Sequence, residues 1–276
     1  MTRRAPLVVL TFALPICAAC AQTADARWSF FPDDLLFTPL VSNHEEARVG
    51  LQQELGSSLL TVGVGNTSDL IQYAAGSDTI RWGGDFYVYA LSNSFKDIRL
   101  KIDAADGFFG MHITWKGETH WSFRFRALHL SAHFVDGHYD PDAKVWKDGR
   151  EPIPFSRNYG EVVAAHESQA AGIFSRLYAG LSYAVYNNPH DIRRWAGLAG
   201  AELAGVGPLY VACNLSLLGV PTYNLNVTVE GGVKLGAWKG RGVRLYLVYY
   251  DGLDVYGEYY KERKEFVGAG FSIDFW

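Results

Sequence analysis

The amino-acid sequence predicts an all-β protein, an antiparallel transmembrane β-barrel of about 12 strands. Three observations carry this expectation: long period-two alternation in the second half of the chain, an export pattern at the amino terminus, and a final strand that ends on aromatic residues.

The alternation is clearest in "TYNLNVTVEGGVKLGAW", which begins at Thr222. Tyr223, Leu225, Val227, Val229, Val233 and Leu235 share one parity there, and Asn224, Asn226, Thr228, Glu230 and Lys234 share the other. Successive side chains of a strand point to opposite faces, so this is a strand with one apolar and one polar face. After the turn "WKGRG" the pattern resumes, with Val243, Leu245, Leu247 and Tyr249 opposing Arg244 and Tyr246. Segments 172–186 and 208–218 show weaker versions, the second placing Cys213 in phase with Leu209, Val211, Leu215 and Leu217. Strands of a soluble sandwich usually run to about five or six residues, whereas a strand crossing a bilayer needs about 9–11. The length of these segments favours the membrane, where closure into a barrel satisfies every backbone group.

The export pattern is Arg3 and Arg4, an apolar run from Leu7 to about Ile16, and small residues up to Ala21. It reads as a signal peptide over residues 1–21, cleaved before Gln22, with lipid attachment at Cys20 as the alternative. Cleavage removes Cys17 and Cys20 and leaves Cys213 alone, so no internal disulfide holds the fold. It also removes two basic residues and no acid, taking the formal charge from −4 to −6. That balance gives no footing for nucleic-acid binding. The longest uncharged stretch after the signal, Leu203 to Val229, is broken by Pro208, Pro221 and several Gly and Asn residues, so no transmembrane helix is expected.

Residues 22–46 read as an amino-terminal periplasmic segment and 47–276 as the barrel. Strands are expected near 47–55, 58–66, 78–90, 97–115, 119–134, 155–166, 172–186, 193–204, 208–218, 222–237, 241–251 and 264–275. An even count places both ends in the periplasm, with "KGET", "GVG" and "WKGRG" as short periplasmic turns and 135–154 as the longest external loop. The final "EFVGAGFSIDFW" sets Val267, Ala269, Phe271, Ile273 and Phe275 on one face, with Trp276 one residue beyond. It resembles the terminal signal by which outer-membrane barrels are recognised by the barrel assembly machinery, which implies the bacterial outer membrane as location and its lipids as surroundings.

Chemistry concentrates in "FRFRALHLSAHFVDGHYDPD", Phe123 to Asp142. His129, Ser131 and His133 alternate along one strand face at its outer end. With Arg124 and Arg126 facing the lumen, the histidines and the serine face lipid; a bulge near Ala127 would reverse this. A serine hydroxyl needs a base to attack an ester, and an imidazole two residues away on the same face can approach it. Asn158 or Glu161, in "SRNYGEVV", would orient the base, with Gly160 a backbone contributor to an oxyanion site. His133 and Asp136 are auxiliary candidates. A zinc site on His129, His133, Asp136 and His138 is not expected, since residues four apart on a strand lie about 13 Å apart and would need a bend to share one ion. Asp136, Asp140 and Asp142 offer oxygen ligands to Ca2+. Arg124, Arg126, Arg157, Arg176, Arg194, Lys234 and Arg244 are expected inside, either facing acids such as Glu202 and Glu230 or selecting an anionic solute.

Over nearly the whole mature chain, "FFPDDLLFTPL", "VGVGNTSDLIQY", the His-x-Ser-x-His strand end and "YYDGLDVYGEYYKERKEFVGAGFSIDF" resemble a family of bacterial outer-membrane barrels without an assigned function. Members of that family often continue the histidine motif with Gly, Asp and Glu, whereas here it reads "HFVDGHYD". The His129-x-Ser131 pair also resembles the local motif of outer-membrane phospholipase A and of one class of lipid A deacylase. That resemblance implies an acyl-ester hydrolase with Asn158 or Glu161 as third member. The competing readings are a structural barrel in which the His and Ser row is polar packing, and a narrow passive channel.

Overall fold

The computed structural model describes residues 26–94 and 100–276. The signal segment, residues 22–25 and positions 97–99 of the expected fourth strand lie outside the described residues. The strands are β1 (Arg27–Phe30), β2 (Val49–Glu54), β3 (Leu59–Ala75), β4 (Asp78–Ser94), β5 (Leu100–Lys116), β6 (Trp121–Phe134), β7 (Tyr139–Asp140), β8 (Val145–Trp146), β9 (Phe155–Ala170), β10 (Ile173–Asn188), β11 (Trp195–Val206), β12 (Leu209–Gly219), β13 (Tyr223–Gly236), β14 (Gly242–Leu253) and β15 (Arg263–Asp274). Twelve of them, β2–β6 and β9–β15, pair antiparallel with their neighbours and close through β15–β2, β2–β3 and β3–β4. β7 and β8 form a small hairpin within the longest loop. No helix among the described residues is long and apolar enough to cross a membrane, a task that falls here to the strands.

The alternation sorts side chains as expected. Leu177, Leu181, Val185, Leu209, Val211, Leu215, Leu217, Leu245 and Leu247 are exposed on the outer wall, and Cys213 lies in phase with them. Arg124, Arg126, Arg157, Arg176, Glu161, Glu202, Glu230, Lys234 and Arg244 are buried inside. This is the inverse of a water-soluble fold and suits a wall that faces hydrocarbon. The charges inside pair as they must when withdrawn from water. Arg176 holds Glu202 at 2.6 Å, Arg126 holds Glu161 at 2.7 Å, and Asp274 receives Lys234 at 2.7 Å and Arg244 at 2.9 Å. Arg194 is a correction: it is exposed at the end of β10 and β11 and bonds the Tyr183 hydroxyl at 3.3 Å.

Two segments differ from expectation. β3 continues to Ala75 rather than ending near Asn66, because a bulge between Asp69 and Ile71 shifts the parity of the strand. The polar run Asn66 to Asp69 before that bulge breaks the apolar alternation and masks the strand. The stretch expected to lie in the periplasm divides instead. β1 pairs with residues 71–74 of β3 at the end that carries the short turns, and the chain then enters the lumen, where Phe37, Leu40, Val41, Ser42, Asn43 and Glu46 are buried. Arg176 donates to the carbonyls of Thr38 and Pro39 at 2.9 Å, Val41 N–H donates to Glu202 at 2.9 Å, and Arg48 bonds the Val41 carbonyl and Glu230.

The opposite mouth is covered by residues 254–262, which connect β14 to β15. Gly257 N–H donates to Asp106 at 2.9 Å, the Tyr256 hydroxyl reaches Thr61 at 3.0 Å, and Glu258 accepts from Ile153 N–H at 3.0 Å. A Cβ at Gly257 would lie 2.6 Å from both Ala132 and Phe155, so the loop docks this deeply only with glycine there. Between the two fillings a cavity of about 140 Å³ remains.

Two predictions follow from this arrangement. Cys213 reacts faster with membrane-soluble maleimides than with charged ones in detergent-free vesicles, and the reverse order would place β12 in the wrong phase. The docked loop is also pH-dependent, because burial raises the Asp254 carboxyl from 3.8 to about 6 despite the opposing pull of Lys264. A raised carboxyl favours the protonated, docked form. Its contribution is complete below the unfolded value and is lost as pH rises through about 6. Backbone hydrogen exchange corrected for intrinsic rates therefore shows residues 254–262 better protected at about pH 5 than at about pH 8, and Asp254→Asn reduces the difference, with Glu258 carrying part of the remainder.

Candidate functional site

β6 lies between β5 and β9, and its register sets the site. His129 is flanked by Phe109 on β5 and Asn158 on β9, and Ser131 by Gly107 and Ser156. No bulge interrupts β6, so Arg124 and Arg126 point inward while His129, Ser131 and His133 point outward, toward the long-loop end of the strand. The outward parity predicted from the two arginines holds.

His129 Nδ1 lies 2.5 Å from Asn158 Oδ1. A carbonyl oxygen can only accept, so Nδ1 is the donor in this bond, and in the neutral ring Nε2 is then the nitrogen that bears the lone pair. The ring is further fixed by stacking on Phe109 at 4.9 Å, which stacks in turn on Phe86 at 6.2 Å. The imidazole is thus held in one tautomer and one plane, the state a general base requires. Ser131 makes no hydrogen bond to His129 in this structure; their Cα atoms are one strand repeat apart, about 6.7 Å. A Cβ at Gly107 would lie 3.8 Å from Ser131 Oγ, so glycine there keeps one flank of the hydroxyl open.

Glu161 does not join this group. It lies three residues from Asn158 on β9, hence on the opposite face. Its carboxylate is buried in the lumen on Arg126 and, at 3.5 Å, Arg124. Gly160 faces outward below Asn158, where a Cβ would meet the Phe125 ring at 3.5 Å, so it is turned toward that ring rather than toward Ser131. His133 is exposed at the strand end.

The acidic loop residues are not gathered. Asp136 is exposed in a single 3-10 turn, and Asp140 accepts from the N–H groups of Asp142 at 2.9 Å and Ala143 at 3.0 Å. The Ala143 and Asp142 N–H groups hold the Asp140 carboxyl below its usual range. Among the described residues no group of three or more His, Cys, Asp or Glu is placed to hold a metal ion. The expected Ca2+ ligand set Asp136, Asp140 and Asp142 is therefore not assembled here, because Asp140 caps its own turn. His138 packs instead of ligating: it is buried, stacks on Phe134 at 3.6 Å and bonds Asp103 at 3.1 Å.

Sequence reasoning missed Phe109 and Gly107, which belong to a strand with no motif of its own. Only the pairing of β5 with β6 brings them beside His129 and Ser131.

The family described as "Protein of unknown function (DUF1207)" matches residues 20–275, and the chain belongs to it. No curated protein matches the sequence. Among solved structures, outer membrane phospholipase A from Escherichia coli is 12% identical with a TM-score of 0.50, covering 82% of this chain and 88% of that one. The β domain of the Bordetella autotransporter BrkA is also 12% identical, with a TM-score of 0.43, covering 82% of this chain and 96% of that one. The first likeness shows the fold, a closed barrel of the outer-membrane kind.

Proposed function

We propose that this DUF1207 member is a lipid acyl-ester hydrolase of the bacterial outer membrane, acting on phospholipid or lipid A from the outer wall of its barrel. The observation that carries the reading is the His129–Asn158 hydrogen bond at 2.5 Å on the same outward face as Ser131. Lumenal polar packing does not account for that pair, since it lies on the wall that faces lipid. In the reaction Ser131 Oγ turns about χ1 toward Nε2 of His129, gives up its proton there and attacks the ester carbonyl. His129 passes the proton to the departing alcohol, leaving an acyl group on Ser131, and then activates the water that removes it. Asn158 acts as a positioning residue by holding the tautomer. The named phospholipase shares the barrel fold, which makes a lipid-facing serine site mechanically plausible on this architecture. The terminal strand would be read by the barrel assembly machinery, and outer-membrane lipids would be both surroundings and substrate. A passive open channel fits less well, because residues 37–47 and 254–262 fill the lumen.

The test is mass spectrometry of fatty acid released from phospholipid and lipid A vesicles by the purified barrel, with and without calcium. Ser131→Ala and His129→Ala each abolish release, a loss on the order of a hundredfold or more. Asn158→Ala slows it, whereas Glu161→Gln does not, provided the barrel still shows heat-modifiable migration. His133→Ala has the milder effect. A folded wild-type barrel that releases no fatty acid under either condition rules the reading out.

A further inference from the structure

The chain segment inside the barrel is held by its backbone, with Tyr87 and Arg126 donating to the Glu45 carbonyl and Tyr89 to that of Glu46, and by two carboxylates. Glu46 receives Arg124 through both guanidinium nitrogens and lies 3.4 Å from Arg126 NH1. Glu45, the preceding residue, accepts from the Tyr159 hydroxyl at 3.1 Å and lies 3.6 Å from Arg157. Glu161 completes the group, so three arginines meet three carboxylates, two of which belong to the inserted segment. The neighbouring Asp85 is engaged by His112 at 3.0 Å and also lies in the field of Arg126. Were Glu45 and Glu46 to leave, Arg124, Arg126 and Arg157 would keep Glu161 as their ion-pair partner and Asp85 near Arg126, and positive charge would exceed negative in a buried setting.

Such a surplus is what an anion-binding site consists of, and planar guanidinium groups suit carboxylates in particular. Two donors are already unsatisfied: the Nε groups of Arg124 and Arg157 are buried without a partner. Arg157 and Glu45 also line the cavity of about 140 Å³, so a small solute has room beside the contact it would replace. Between β1 and β2 the inserted segment adds no strand to the sheet, so its backbone meets the wall through side chains of the strands and not through a ladder.

We propose that Arg124, Arg126 and Arg157 form a binding site for a small carboxylate solute within the barrel, and that Glu45 and Glu46 occupy it as an internal substitute. A solute bearing carboxylates competes with the segment for the same guanidinium groups and loosens it from the wall. This site is separate from the lipid-facing serine, and its test does not depend on hydrolysis.

Succinate is the probe, with inorganic phosphate as the comparison anion. Calorimetry on the detergent-folded full-length protein compares the wild type with Glu45→Gln/Glu46→Gln. The double variant binds succinate on the order of tenfold tighter or more, the worth of a charge-assisted hydrogen bond released for the ligand. Adding Arg124→Gln and Arg126→Gln abolishes that gain. Phosphate binding as tightly as succinate would overturn the carboxylate assignment, and a folded double variant that binds succinate no better than wild type would overturn the site. Should the double variant not fold, Ser42→Cys in a Cys213→Ser background tests the displacement with Glu45 and Glu46 intact. Succinate speeds labelling of the buried Cys by a charged maleimide, and an unchanged rate at saturating succinate refutes the competition.

Discussion

Everything in this molecule follows from closing a sheet whose side chains alternate. Closure removes the edges and satisfies the backbone, but it also sends every second residue into a narrow interior. The polar parity of these strands is rich in arginine and glutamate, and the interior is filled by residues of the inserted segment and covered at one mouth by residues 254–262. Each charge inside then needs an opposite charge, and the strands do not supply enough of them around Arg124, Arg126 and Arg157. The inserted segment supplies the remainder through Glu45 and Glu46. The same alternation places the opposite parity on the outer wall, and there His129, Asn158 and Ser131 stand among residues chosen for contact with hydrocarbon.

What was legible in the sequence was whatever obeyed the period of two. The arginines at 124 and 126 fixed the phase of β6 correctly, and with it the outward direction of His129 and Ser131, because no bulge intervenes. β3 was cut short because its parity slips at the bulge near Leu70. The inserted segment was invisible for a related reason: "FFPDDLLFTPLVSNHEE" has no periodicity, and Phe37 and Leu40 are buried by the barrel rather than by any partner nearby in the chain.

Within the site, legibility depended on how local the signal was. His129 and Ser131 are two residues apart and were readable together. The choice between Asn158 and Glu161 turned on parity, since residues three apart cannot share a strand face, and the register across β6 and β9 decides it for Asn158. Phe109 and Gly107 carried no signal because their role comes from pairing with a neighbouring strand. The loop aspartates looked like ion ligands because of their spacing, yet an aspartate that caps its own turn spends its lone pairs on local N–H groups.

The inserted segment also constrains how the molecule can be assembled. It precedes the first barrel strand, yet Val41 bonds Glu202 across 161 residues of chain and Arg48 bonds Glu230 across 182. Contacts so distant in sequence form late, because the intervening chain must first be ordered. The segment cannot acquire its partners until β11 and β13 are in place, and once β15 has joined β2 the only remaining way in is the short-turn mouth. Biogenesis therefore faces a choice of order, either wrapping the later strands around a waiting amino terminus or drawing that terminus into a finished cylinder. A bulky folded domain fused ahead of Arg27 would permit the first route and obstruct the second.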